Sequence, residues 1–136
     1  MSMAAWILTA CGVALVAIGV FFLVARPPLL PEDARFMGSS VEHILDAVPA
    51  LSRWLRRVFW VLGGYIATAG ILVVYLADTG VRTGSPVAIA VLAMAGVTSI
   101  GWMSAVNFMI RSDFRWALLG LGGLWLLGLI LAVAAR

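Results

Sequence analysis

The chain has 136 residues, of which 64% are hydrophobic and 11% charged, whereas soluble domains carry roughly a quarter charged residues. This composition excludes a water-soluble fold. All nine basic residues are arginine, which together with the abundance of Ala, Gly, Leu and Val indicates a GC-rich bacterial genome, and hence the inner membrane of a bacterium. The net charge of +3 does not indicate nucleic-acid binding, because the arginines cluster beside apolar segments, where membrane topology and anionic lipids account for them.

Four apolar segments are long enough to cross a membrane as helices, which requires about 20 residues each. The predicted spans cover residues 3–25, 54–77, 86–110 and 114–135. Strands are disfavoured, since the segments lack alternation and a lipid-exposed backbone must pair within its own segment or in a closed barrel. We therefore predict an all-α fold, in which residues 1–136 form one transmembrane domain built as a four-helix bundle. The first segment is expected to be retained, because no basic residue precedes it and no small-residue cleavage pattern follows.

The arginines are unevenly divided between the two sides of the predicted bundle. If the spans alternate in direction, the first and third connections together hold seven arginines, and the opposite side holds Arg82 and Arg136. The positive-inside rule then places the first connection in the cytoplasm and both termini outside it.

The connection over residues 31–52 carries helix signals of its own. Pro31 is followed by two carboxylates, which is typical of a first helical turn, and Gly38 can end that turn. Ser39 with Glu42 matches a capping box. Apolar residues follow at helical spacing: Val41, Ile44, Leu45 and Val48. This pattern predicts a short cytoplasmic amphipathic helix, either at the membrane interface or docked beneath the bundle.

Arg53, Arg56 and Arg57 lie at the start of the second span, with Trp54 among them. We expect these arginines to lie in the lipid head-group layer and the tryptophan in the interfacial aromatic belt. Anchoring of the helix accounts for the arginines. Binding of a specific anionic lipid or of an acidic surface on a partner is the alternative.

Polar chemistry at membrane depth is sparse. No ionisable side chain lies near the centre of a span, which argues against proton-coupled transport and voltage sensing, since these need buried charges. Span three is the most polar, and an inward-facing pocket is one interpretation of its side chains. The other is that serines bond their own helix and Asn107 joins two helices. The candidate pocket residues are Trp60, Tyr65, Trp102, Ser104 and Asn107.

Small residues recur in the spans at intervals that allow helix backbones to approach closely. The predicted helix-packing residues are Gly63, Gly64, Ala67, Gly70, Ala95, Ser99, Gly128 and Ala132. Three tryptophans, Trp60, Trp102 and Trp125, lie away from the interfaces that indole prefers. We expect them to pack inside the bundle or against a partner, or else to line a pocket for a flat apolar ligand.

The only cluster with possible acid–base chemistry is Glu42, His43 and Asp46. One short helix offers few convergent ligands, so we predict no metal site, and no other cofactor is expected. Cys11 is the only cysteine, and no disulfide can form within the chain. The sequence contains no nucleophile elbow, P-loop or dinucleotide fingerprint.

Three functions follow in order of preference. The first is a non-enzymatic bundle that acts through helix–helix association, as an accessory or scaffold subunit or as a homo-oligomer. The second is a bundle that binds or transports an apolar small molecule or lipid, and the third is a membrane enzyme that uses residues 42–46. The layout of one helix, an amphipathic connection and three further helices resembles that of small bacterial membrane proteins such as the DoxX-like proteins. This resemblance is architectural and implies no functional residue.

Overall fold

The computed structural model describes residues 2–135, which form helices and their connections without a strand. A long helix, α1 (Met3–Val24), is followed by two short ones, α2 (Pro31–Phe36) and α3 (Val41–Ala47). The remaining helices are α4 (Leu51–Leu76), α5 (Pro86–Gly96), α6 (Trp102–Met109) and α7 (Arg115–Ala134).

Two π-helical turns, in which hydrogen bonds join residues five apart, modify this order. Ala77–Val81 continues α4, and Val97–Gly101 joins α5 to α6. Four continuous helices result, each long and apolar enough to cross a membrane: Met3–Val24, Leu51–Val81, Pro86–Met109 and Arg115–Ala134. The prediction of four such helices is confirmed, although the second begins at Leu51 instead of residue 54 and continues past residue 77.

Glycines bring the backbones of α1 and α4 into direct contact. Gly12 faces Gly70 and Gly19 faces Gly63, so the two helices are antiparallel. A Cβ atom on Gly19 would lie 2.5 Å from the Ala67 nitrogen and 2.6 Å from the Gly63 oxygen, and one on Gly70 would lie 2.6 Å from the Gly12 oxygen. Only residues without a side chain permit this approach, which makes α1 and α4 the most closely packed pair.

The opposite side of α1 packs against α7, and α7 in turn holds α5. Leu8 lies over Gly128, where a Cβ atom would come within 2.8 Å of the leucine Cγ. Trp125 is 2% exposed, and its indole N–H donates to the Leu92 carbonyl oxygen at 3.1 Å. Gly96 makes room for the ring, since a Cβ atom there would lie 2.5 Å from the indole nitrogen. Trp125 therefore packs among the helices, as expected, and its hydrogen bond joins α7 to α5.

The helix caps differ in detail from the expected ones. Ser40, not Ser39, caps α3, and its hydroxyl accepts the His43 N–H at 3.1 Å. Ser40 has the extended backbone that an N-cap requires immediately before the first helical residue. At the start of α7, the Ser112 hydroxyl accepts the N–H of Phe114, one residue before the helix begins.

Candidate functional site

The five candidate pocket residues do not surround one cavity. Trp60, Tyr65 and Trp102 lie on the outer surface, with 50%, 72% and 68% of each residue exposed. The Ser104 hydroxyl is buried without a hydrogen-bond partner. The Asn107 amide donates at 2.8 Å to a carbonyl one turn earlier in its own helix, so it does not join two helices within the chain. Trp60 and Trp102 do not pack inside this chain, because α4 and α6 turn these side chains outward, and their packing against a partner stays a prediction.

All eight residues predicted for helix packing are buried or half-buried, and seven of them share the packed side of their helices. These seven are Gly63, Ala67, Gly70, Ala95, Ser99, Gly128 and Ala132. Gly64 differs from them, since no atom lies within 4 Å of the position that its Cβ would occupy. The adjacent glycines of α4 therefore face opposite ways, one against α1 and the other away from the chain.

One continuous surface, which we call the outer face of α4, surrounds the open space at Gly64. It consists of Gly64, Tyr65, Thr68, Leu72 and Tyr75, whose spacing keeps them within about 100° of the helix circumference. The hydroxyls of Tyr65 and Thr68 lie near the middle of the span. In the described part of the chain, neither has a hydrogen-bond partner.

Three other threonines satisfy their hydroxyls locally, whereas the Thr9 hydroxyl is buried without a hydrogen-bond partner in the described part of the chain. The hydroxyls of Thr79, Thr83 and Thr98 each donate to the carbonyl oxygen four residues earlier, at 2.7, 2.8 and 2.9 Å. This bond is the usual way in which a helix accommodates threonine. Because Thr68 does not form it, its hydroxyl is free to pair with a group outside the chain.

A second feature is an apolar groove between α5 and α7. The π-helical turn Val97–Gly101 lines one side of a cavity of about 160 Å³, and Gly122 and Trp125 line the other. A second cavity of about 410 Å³ shares Ala93 and Leu129 with the first and continues along the same two helices. The π-helical turn widens the helix at this point, and such turns are frequent at functional sites.

A polar cluster ties the first connection to the third at one end of the helices. Glu32 is only 4% exposed, and its carboxylate accepts the Ser112 hydroxyl at 3.2 Å. Arg35 and Asp113 form an exposed ion pair at 3.6 Å beside it. The first and third connections, with their seven arginines, therefore share one end of the molecule. Sequence reasoning missed the burial of Glu32, because a carboxylate after proline is typical of an exposed first turn.

Arg26, just after the end of α1, belongs to the same polar cluster. Its guanidinium lies 3.6 Å from the ring centre of Phe59 and pairs with the Asp33 carboxylate at 3.4 Å. Burial lowers the pKa of the Arg26 guanidinium, and the neighbouring carboxylates of Asp33 and Glu32 oppose that shift. Each charged group has a partner here, as a buried charge requires. The cluster therefore stabilises the connection and offers no vacant ligand position.

The segment proposed for acid–base chemistry lies apart from this cluster. Glu42, His43 and Asp46 are all exposed on α3, which buries none of its residues. Among residues 2–135, no three His, Cys, Asp or Glu side chains converge in a group that could hold a metal ion.

Comparison with known proteins adds no constraint to this geometry. No family model, curated protein or solved structure matches the chain. The functional assignment therefore depends on the surfaces of the molecule itself.

Proposed function

We propose that this chain is a non-enzymatic integral membrane protein, built as a four-helix bundle, that acts by associating with a further transmembrane helix. The partner helix belongs either to another membrane protein, to which this chain is an accessory or scaffold subunit, or to a second copy. The contact surface is the outer face of α4.

The observation that carries this proposal is the open space at Gly64, beside which the polar side chains of Tyr65 and Thr68 are exposed. A hydroxyl that faces hydrocarbon lacks the hydrogen bonds that water would supply, and each unsatisfied polar group there is costly. Small residues let a second helix approach closely, and hydroxyls then bond across the interface. Gly64, Tyr65 and Thr68 supply both elements on one surface.

The orientation is part of the same proposal. Seven arginines at the end that holds the first and third connections favour that end in the cytoplasm of a bacterium, with both termini outside it. The partly buried apolar side chains of α3, Val41, Ile44 and Leu45, would then lie in the cytoplasmic membrane interface as an amphipathic helix.

Substitution of Gly64 by leucine tests the association directly. The space beside Gly64 is open, so Gly64→Leu should leave the fold intact and block the approach of a partner helix. Gly123→Leu is the matched control, because the Cβ position of Gly123 likewise has no neighbour within 4 Å in mid-span, but on α7. We expect native mass spectra from mild detergent to show a complex for the wild type and for Gly123→Leu, and its loss for Gly64→Leu. A complex that survives Gly64→Leu would contradict the proposal.

A second function, binding of an apolar small molecule or lipid, is favoured by the groove between α5 and α7. Its lining differs from the five residues expected from the sequence. Gly122→Leu should fill the first cavity and reduce ligand retention, whereas Gly120→Leu, with no neighbour within 4 Å, should not. Co-purified ligand measured by native mass spectrometry would decide this, and equal retention in both variants would remove the groove as the site.

A further inference from the structure

Three arginines lie together on the first two turns of α4, and none of them pairs with an acidic side chain of residues 2–135. Arg53, Arg56 and Arg57 occupy positions i, i+3 and i+4, which lie on one side of a helix with Cβ atoms roughly 5–6 Å apart. All three are exposed. The ion pairs found in residues 2–135 involve other arginines. The cluster therefore presents three unneutralised guanidinium groups.

The cluster lies at the level of lipid phosphates. The uncharged run from Val58 to Ala77 is about 30 Å of helix, which matches the hydrocarbon thickness of a bilayer. Arg57 directly precedes this run, and Arg53 lies about 6 Å further out, within a head-group layer roughly 5–8 Å thick. Trp54 is 60% exposed beside the arginines, as expected for a ring in the interfacial belt.

We propose that Arg53, Arg56 and Arg57 bind one phospholipid whose head group carries two phosphates, as in cardiolipin. A phosphodiester has two non-ester oxygens, and the fork of a single guanidinium can engage both of them. Three guanidinium groups therefore offer more donors than one phosphate can use. Two phosphates joined by a short linker match the charge of three guanidinium groups better than one phosphate does.

The apolar surface below the arginines suits the acyl chains of the same lipid. Trp60 and Val61 are exposed one turn further into the span, directly beneath the head-group level. The charged part of the site lies outside the hydrocarbon region and does not overlap the contact proposed for a partner helix. Trp60 and Val61 lie on the same side of α4 as Gly64 and Thr68, so the acyl chains would adjoin that contact.

Lipid retention by the purified protein tests this site. Native mass spectra are recorded after addition of cardiolipin, phosphatidylglycerol or phosphatidylcholine at equal concentration. We expect the wild type to retain one cardiolipin, and the triple variant Arg53→Gln, Arg56→Gln, Arg57→Gln to bind it about 100-fold more weakly. Arg57→Gln alone should weaken binding about fivefold. Far-UV circular dichroism checks that the helices remain intact.

A control variant of equal net charge distinguishes a specific lipid site from general electrostatic attraction of anionic lipids. Arg35→Gln, Arg82→Gln and Arg111→Gln together also remove three positive charges and should leave cardiolipin retention within about twofold of wild type. Equal losses in the two triple variants would overturn the proposal. So would phosphatidylglycerol retained as strongly as cardiolipin, displacement of the lipid by inorganic phosphate, or a bound acidic polypeptide in place of the lipid.

Discussion

Gly63 and Gly64 are neighbours in α4 that the structure places in opposite environments. A Cβ atom on Gly63 would lie 2.7 Å from the Gly19 oxygen and 2.9 Å from the Leu23 Cγ, whereas one on Gly64 has no neighbour within 4 Å. Because carbon contacts need about 3.5 Å, Gly63→Ala must separate α1 and α4 by roughly 1 Å. Overpacking of this kind costs about 1–3 kcal/mol. Gly64→Ala should not lower stability, since alanine forms helix better than glycine.

The two substitutions are identical and lie at adjacent positions. A difference in stability between the variants therefore cannot result from amino-acid composition or from depth along the helix. Unfolding is followed by circular dichroism and tryptophan fluorescence as the fraction of sodium dodecyl sulfate in mixed micelles rises. We expect the free energy of unfolding to fall by about 1–3 kcal/mol for Gly63→Ala and to stay equal or rise for Gly64→Ala. Equal transition midpoints, or a larger loss for Gly64→Ala, would refute the antiparallel glycine contact.

Three further predictions concern the interior, the connections and the orientation. Trp125→Phe removes the buried indole donor and should lower the unfolding free energy by about 1 kcal/mol or more, whereas Trp102→Phe on the outer surface should not, as mixed-micelle unfolding would measure. Glu32→Ala removes the acceptor that ties the first connection to the third, so limited proteolysis should cut the first connection faster than in the wild type. A periplasmic reporter should be silent when fused at Arg35 and active at Arg82; the reverse pattern would contradict the orientation.

The extent of the long helices could be predicted from the sequence, because bilayer thickness sets a length that an uncharged run must reach. The start of the second helix was predicted less well, since Arg53, Arg56 and Arg57 end the uncharged run of residues and do not end the helix. In the structure α4 begins at Leu51 and carries all three arginines within it.

The rotation of each helix about its axis could not be predicted. A helix that is apolar on all sides has no stripe that marks the face toward the core. The sequence therefore predicted the same packing role for Gly63 and Gly64. It also could not show that Trp125 is buried and Trp102 exposed. The free hydroxyl of Thr68 was likewise not apparent, because its environment depends on that rotation.

Contacts between residues far apart in the sequence also could not be predicted from local residue patterns. Glu32 becomes buried because Ser112, 80 residues later, lies at the same end of the helices. The groove between α5 and α7 depends on a π-helical turn at Val97–Gly101, which no residue pattern in this segment predicts.

Site-specific photocrosslinking in intact membranes tests the central claim most directly. A benzophenone amino acid is placed at Thr68, on the outer face of α4, and in a second variant at Leu124, which is exposed at similar depth on α7. Association through α4 predicts an adduct of defined mass from position 68, equal to a second copy or to one other protein, and little or none from position 124. The absence of an adduct at position 68, or equal yields at both positions, would contradict the account.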